Sequence, residues 1–349
     1  MNLRVLHVVQ SNKPPQFVVK DTIYLKKLAN IDSEILLAPR YGSLKRLFLT
    51  IFQSLKAAMK IIRHRPDVIH FHFLSSTLPD ILHFTPSIIS IQESFSWYPK
   101  WWLAIFKILA SRSKTVYISE HNRDMWTPTL KKKGRLIYHA VDASVFNPER
   151  YNPELRDQLK QELGIDYLIM LMGPFNPTRG YELAIKACQI IRKKGINAGI
   201  VFKGYGHGVS YKEKMVKLAE ELEVPMKLVT RYLTEDELIE YYASSEVFIR
   251  PGIAEGFGIA VLEAQACGTP VIVTECCSLK EIFKDSSLKF RPFDQITLAE
   301  HLEALYHNES LREDMIQAGL KNAEYFSWDR KIAGYIKAYR DAIEESLLR

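Results

Sequence analysis

Cysteine is scarce in this chain: four residues, Cys188, Cys267, Cys276 and Cys277, among 349. None forms a Cys-x-x-Cys pair, and the adjacent Cys276 and Cys277 do not suggest a disulfide framework. A reduced, cytoplasmic protein is therefore expected rather than a secreted disulfide scaffold. Long apolar runs are missing too; none approaches the roughly 18 to 20 residues of a membrane-spanning helix. The opening MNLRVLHVVQ begins its apolar run at once and ends it early, which reads as a buried strand and not a signal peptide. There is no internal repeat and no low-complexity segment, so neither a repeat array nor a disordered arm is expected.

What remains is the balance of a soluble globular protein, 47% hydrophobic and 25% charged. The length exceeds one ordinary core and suits two domains. The net charge of +7 is unevenly spread. Residues 1–145 hold 21 Lys and Arg against 9 Asp and Glu, a net of +12, while residues 146–349 carry a net of −5. A basic first half calls for an anionic partner, and nucleic acid, anionic lipid or a phosphate-bearing acceptor would each satisfy it. No nucleic-acid recognition motif is visible, so nucleic acid is not expected as a partner.

Along the chain, LRVLHVV, SEILLA, DVIHFHF, SIISIQ and KTVYIS read as strands separated by helical stretches such as Ser43–His64. The pattern pauses over 142–166, which is polar and proline-punctuated, and then restarts with LIMLMG, AGIVFKG, KLVTRY, EVFIRPG and TPVIVTE. Strand–helix alternation in two blocks predicts two α/β domains with parallel sheets, here 1–145 and 146–328. The tail from Ser327 reads as an amphipathic helix with Trp328, Ile332, Tyr335, Ile336 and Tyr339 on one side.

The segment with the most chemistry is EVFIRPGIAEGFGIAVLEAQACGTPVIV, residues 246–273. A strand ends near Pro251, a loop follows, and a helix starts at about Gly258 and stops at Gly268. Gly256 and Gly258 permit unusual dihedrals and close backbone approach, and the free N–H groups at the helix start favour an anion. Glu263, five residues on, lies roughly 7 Å along the axis. That reach suits a carboxylate gripping ribose hydroxyls while the helix start holds a diphosphate, as in dinucleotide-binding folds. Glu255 precedes the helix and would face whatever hangs beyond the phosphates. No Asp-x-Asp triplet occurs, so a helix N-terminus and arginine are expected in place of a metal there. His70 and His72 lack a visible third ligand and read as strand packing rather than a zinc site. The glycines of VFKGYGHG, Gly204, Gly206 and Gly208, read as a loop rather than an NAD site.

EGFGIAVLEAQACGTPVIV resembles the retaining glycosyltransferase family four, whose Glu-x7-Glu motif falls on Glu255 and Glu263. DVIHFHF, LIYHAVDASVFNP, MGPFNPTRGYELAIKA, VFKGYGHG, YLTEDELIEYYASSEVFIRP and FSW also resemble that family, so the likeness covers essentially the whole chain. It implies the GT-B fold: two Rossmann-like domains facing across a cleft, with the C-terminal helix (329–349) crossing back to the N-domain. It also implies metal-independent, configuration-retaining transfer of a hexose-type sugar from a UDP- or GDP-linked donor to a glycan or lipid-linked acceptor, with no further cofactor. By the same resemblance Glu255 contacts the donor sugar and is needed for transfer, and Glu263 binds the ribose. Gly256, Phe257, Gly258 and Ile259 meet sugar and phosphate, and Gly173, in the first C-domain loop, binds the donor as well. Arg179 neutralises the diphosphate, as a departing nucleoside diphosphate requires. Arg231 and Tyr232 are assigned to the donor as well.

Three departures from the family pattern stand out. Pro174 follows Gly173 where the family has Arg, and Arg231, Arg250 or Lys203 is expected to supply the missing charge. The first N-domain loop reads SNKPPQF in place of a Gly-Gly pair. Gln92 stands where the family often has His; it is taken as catalytic through a hydrogen bond to a hydroxyl, since it cannot act as a base. On the acceptor side, Ser43–His64 carries Leu44, Leu47, Phe48, Ile51, Leu55, Met59 and Ile62 at helical spacing beside basic residues, and Trp97, Tyr98, Trp101, Trp102 and Phe106 follow. The helix suits core packing; the aromatic-basic stretch suits peripheral contact with an anionic membrane at its cytoplasmic face. A sugar-nucleotide epimerase and a non-catalytic sugar-nucleotide-binding protein are the rival readings.

Overall fold

The inner strands of each of the two sheets are short β-branched and aliphatic runs largely buried on both faces, which is what a parallel sheet flanked by helices demands. The computed structural model describes residues 3–11, 13–38, 58–59, 61–73, 85–92, 108, 113–130, 134–206 and 209–348. Two compact units emerge: Met1–His139 with Trp328–Arg349, and Ala140–Ser327.

The first unit holds strands β1 (Arg4–Gln10), β2 (Asp32–Ala38), β3 (Val68–His72), β4 (Ser87–Ile91), β5 (Lys114–Tyr117) and β6 (Arg135–Leu136). They pair in parallel in the order β2-β1-β3-β4-β5-β6. The order reverses between β1 and β3. The expected strands are present, and β6 is a two-residue addition too short to leave a period in the sequence. Of the apolar stripe read over Ser43–His64, only the end is described: Met59 and Ile62 are exposed, whereas Ala58 and Ile61 are buried. The Trp97–Phe106 stretch lies outside the described residues.

The C-terminal helix, Trp328–Leu347, belongs to the first unit, as expected. Trp328 stacks on Tyr24 with centroids 4.1 Å apart, and the Tyr339 hydroxyl meets His70 Nδ1 at 3.0 Å. Lys331, on the packed side, forms a buried ion pair with Asp21 of the Gln16–Ala29 helix (Nζ–Oδ1 2.5 Å).

The second unit holds β7 (Tyr167–Pro174), β8 (Ala198–Tyr205), β9 (Met226–Val229), β10 (Val247–Arg250), β11 (Val271–Thr274) and β12 (Leu288–Phe290). All pair in parallel, in the order β12-β11-β10-β7-β8-β9. This is a doubly wound sheet whose direction of winding switches between β7 and β10. Open α/β sheets bind ligands at the carboxyl ends of strands beside such a switch. The first and fourth strands of this unit, β7 and β10, therefore point to where its site should be. Their carboxyl ends are Gly173–Pro174 and Arg250.

Candidate active site

At that switch point the loop after β10 turns into the Ile259–Ala266 helix. Gly258 is the N-cap, with φ of +100°, and a Cβ there would lie 2.9 Å from Leu279 Cδ2 and Phe283 Cε2, so glycine is required twice over. Gly258 caps with no side chain, and the first helical N–H groups, on Ile259 and Ala260, find no acceptor among the described residues. They are the free donors a helix start offers an anion. Ile259 and Glu263 are one turn apart and share the half-buried face, while Val261, Leu262, Ala264, Gln265 and Ala266 are buried. Phe257 is buried edge-on against Phe326 (5.6 Å), which fixes the loop exit; Gly256 is half-buried.

Glu255 is held by two arginines. Its Oε2 accepts from Arg179 Nη1 at 2.8 Å, from Arg250 Nε at 2.7 Å and from Arg250 Nη2. Arg250 is itself almost fully buried and also donates to the Met172 carbonyl. Burial works against its charge, and the Glu255 carboxylate more than offsets that, leaving the guanidinium above its ordinary pKa. Arg179 ends the turn Pro177–Arg179, capped by Asn176, and Gly180 follows at φ of +72° with the Pro251 carbonyl 2.2 Å from where a Cβ would be. That close approach draws the Arg179 loop against the end of β10; the Ile253 N–H bonds to the Thr178 carbonyl across the same seam (2.9 Å). Gly173 leaves room for Arg250, whose Nη1 would be 3.1 Å from a Cβ there. Behind the loop, Ser278 Oγ donates to the Glu255 carbonyl (3.0 Å).

Glu263 Oε2 accepts from the buried Tyr242 hydroxyl at 3.0 Å. Burial first, and then the neighbouring carboxylate, push the Tyr242 pKa well up, so the hydroxyl stays a donor that orients Glu263.

The structure thus brings Glu255, Arg179, Gly173 and Gly256–Ile259 together around one loop, with Glu263 one turn into the helix that the loop starts. Arg231 and Tyr232 are not joined to that cluster: Arg231 is exposed and pairs with Glu237 (2.7 Å), and Tyr232 is 77% exposed. Among the three cations named for the charge missing at Pro174, Arg250 is the one bonded to Glu255. Lys203 turns to its neighbour's carbonyl, and its pKa is lowered by burial and then by Arg231.

Gln92 belongs to the first unit, at the carboxyl end of β4, and its amide donates to His72 Nδ1 at 3.3 Å. That leaves the His72 proton on Nε2, facing His7 Nδ1 at 2.8 Å. The expectation that His70 and His72 have no third ligand in view is corrected here: His7, in register with His70 on the neighbouring strand, brings ring nitrogens of all three within 4.8 Å of one another. Sequence reading missed it because the partner lies across a strand pair. The trio is already hydrogen-bonded, with His70 held by Ser90 (2.7 Å) and Tyr339. Only His7 Nε2 lacks a partner.

Residues 155–322 match the family described as glycosyl transferases group 1. A D-inositol 3-phosphate glycosyltransferase from Arthrobacter sp. (strain FB24) is 28% identical over 210 residues, covering 59% of this chain and 49% of that protein. Sulfoquinovosyl transferase SQD2 of Arabidopsis thaliana is 26% identical over 308 residues, covering 80% of this chain and 58% of the plant protein. The chain spans about half the length of the bacterial relatives it matches. Among solved structures, a glycosyltransferase from Rickettsia africae superposes with a TM-score of 0.81 at 16% identity, covering 98% of this chain and 99% of its own. Anabaena HepE in complex with UDP and glucose superposes at 0.77 and 15% identity, covering 96% and 99%. At such identities the likeness establishes the fold, which is GT-B.

Proposed function

We propose that this chain, whose residues 155–322 match the glycosyl transferases group 1 family, belongs to that family and moves a hexose-type sugar from a nucleoside diphosphate donor to a glycan or lipid-linked acceptor, with retention of configuration. The observation that carries the reading is the Arg179–Glu255–Arg250 cluster at the start of a helix whose first N–H groups are free, with Glu263 oriented one turn on. In that arrangement the helix start and the two guanidiniums receive the diphosphate and stabilise it as it departs. Glu263 takes the ribose, and Glu255 the sugar.

The donor is UDP- or GDP-linked; solved neighbours of the fold include HepE bound to UDP-glucose. Two arginines and a helix start already supply the positive charge a leaving diphosphate needs, which favours a metal-independent reaction. No carboxylate is assigned as a nucleophile, so the acceptor attacks from the side the diphosphate leaves, and a phosphate oxygen takes its proton. Gln92, fixed by His72, hydrogen-bonds a hydroxyl and exchanges no proton. The basic first half, net +12 over residues 1–145, favours peripheral contact with an anionic membrane at its cytoplasmic face and a membrane-proximal acceptor.

Screening UDP- and GDP-sugars for a rise in melting temperature identifies the donor. With that donor, Glu255→Ala is expected to abolish transfer while leaving circular dichroism unchanged. Near-normal turnover in that variant removes the assignment of Glu255.

A further inference from the structure

Where the Arg179 turn after β7 meets the end of β10 and its loop, positive charge exceeds negative. Two guanidiniums converge on a single carboxylate oxygen, Glu255 Oε2, and the side chains are 20%, 8% and 13% exposed for Arg179, Arg250 and Glu255. One surplus cation in so little water is costly unless an anion joins it. The hydrogen bonds tell the same story. Arg179 Nε is buried without an acceptor, and the N–H groups of Ile259 and Ala260 are also unspent. A lone carboxylate does not satisfy this donor set; an anion with two charges and several oxygens does.

We propose that Glu255 is a displaceable counter-ion. In the donor-free protein it neutralises Arg179 and Arg250. An incoming diphosphate takes over both guanidiniums, and the released carboxylate turns to the sugar. The inference rests on the nucleotide-sugar reading above and adds two things to it. Arg250 is a phosphate ligand delivered from the end of β10, supplying the second charge that is missing at Pro174, beside Arg179 from the loop after β7. The residue that later grips the sugar also holds the anion site in shape until the donor arrives. Gly173 is part of the device, since a side chain there would push against Arg250 and Tyr181.

Exchange predicts that ligands with and without a sugar respond in opposite ways to loss of the carboxylate charge. Titration calorimetry on the full chain, with inorganic pyrophosphate, UDP, GDP, UDP-glucose and GDP-mannose, separates them. Glu255→Gln frees the arginines, so pyrophosphate and the cognate nucleoside diphosphate bind about tenfold tighter, which corresponds to about 1.4 kcal/mol. The intact nucleotide-sugar loses its carboxylate contact, and its affinity stays level or falls. Arg250→Met weakens pyrophosphate at least tenfold. The double variant Arg250→Met/Glu255→Gln removes the buried pair together, guards against misfolding of the single one, and binds pyrophosphate more weakly than Glu255→Gln alone.

The exchange is overturned if Glu255→Gln binds pyrophosphate no tighter than the wild type. It is equally overturned if that variant tightens pyrophosphate and nucleotide-sugar alike, or if loss of Arg250 leaves pyrophosphate affinity unchanged in both backgrounds. Those results, obtained with a wild type that binds UDP or GDP, leave the nucleotide-sugar reading standing. A wild type that binds neither nucleotide overturns both.

Discussion

Gly258 and Gly195 share a left-handed backbone, φ of +100° and +92°, but not a neighbourhood: a Cβ at 258 would press on Leu279 and Phe283, while one at 195 meets nothing within 4 Å. Gly195→Ala should therefore cost only backbone strain, about 1 kcal/mol. Gly258→Ala should cost about 2–4 kcal/mol, adding overpacking, and should also weaken nucleotide binding by shifting the helix start. Urea unfolding of the two variants checks this; equal losses would mean that packing around the helix start contributes nothing. Glu263 makes a different prediction. If it takes the ribose, Glu263→Gln weakens the nucleoside diphosphate by roughly tenfold, as for one hydrogen bond to a charged group, and leaves pyrophosphate unchanged. A matching loss for pyrophosphate would remove the ribose assignment. Glu255, Glu263 and Arg179 were legible in the sequence because each sits at a fixed spacing from a glycine that marks a chain turn. The contact of Arg250 with Met172 on β7 and those of His7 with His70 and His72 on β3 were not, since they arise across adjacent strands.

Among the elements, the C-terminal helix shows where periodicity stops being informative. Its apolar face was readable, and Trp328, Ile332, Tyr335 and Tyr339 are buried. Lys331 lies four residues before Tyr335, on that same face, and a lysine there makes sense only through Asp21, 310 residues away in sequence. Its ammonium also lies over the Trp328 ring at 4.5 Å. With side chains 2% and 0% exposed, neither ion has water to fall back on. Lys331→Met should thus cost about 3–5 kcal/mol, whereas Lys331→Met with Asp21→Leu should recover most of it. Thermal melts of the single and double variants decide; a double variant as weak as the single one would mean that the loss comes from packing and not from an orphaned carboxylate. Short strands escaped sequence reading for a simpler reason. β12 is three residues long and β6 two, too few to show alternation. The helices Gln295–His307 and Glu309–Tyr325 follow one another with only Asn308 between them, and no strand separates them to mark the pattern.

At the scale of the whole molecule, the two-block alternation of strands and helices carried the α/β organisation, and the two units differ in how they should respond to acid. The buried histidines His7, His70, His72 and His139 all belong to the first unit. Burial foremost, with Lys331 adding to it, draws His7 from 6.5 down to about 3. The other three are lowered as well, burial again leading. A base whose folded pKa is depressed stays neutral in the native state and protonates on unfolding. Its contribution to stability is complete above pH 6.5 and is lost as the pH falls toward the folded value. For His7 alone the loss at pH 5 is about 2 kcal/mol, and the other imidazoles act in the same direction. The second unit has no buried histidine among its described residues, and the nucleotide site proposed above lies in it. Calorimetry should therefore resolve two transitions that separate as the pH is lowered from 7.5 to 5, the acid-sensitive one belonging to the first unit. The cognate nucleotide at a hundredfold its Kd adds about 2.7 kcal/mol to the acid-resistant transition only. If both transitions fall together, or if nucleotide raises the acid-sensitive one, the division of histidines and donor site between the units is not what governs stability.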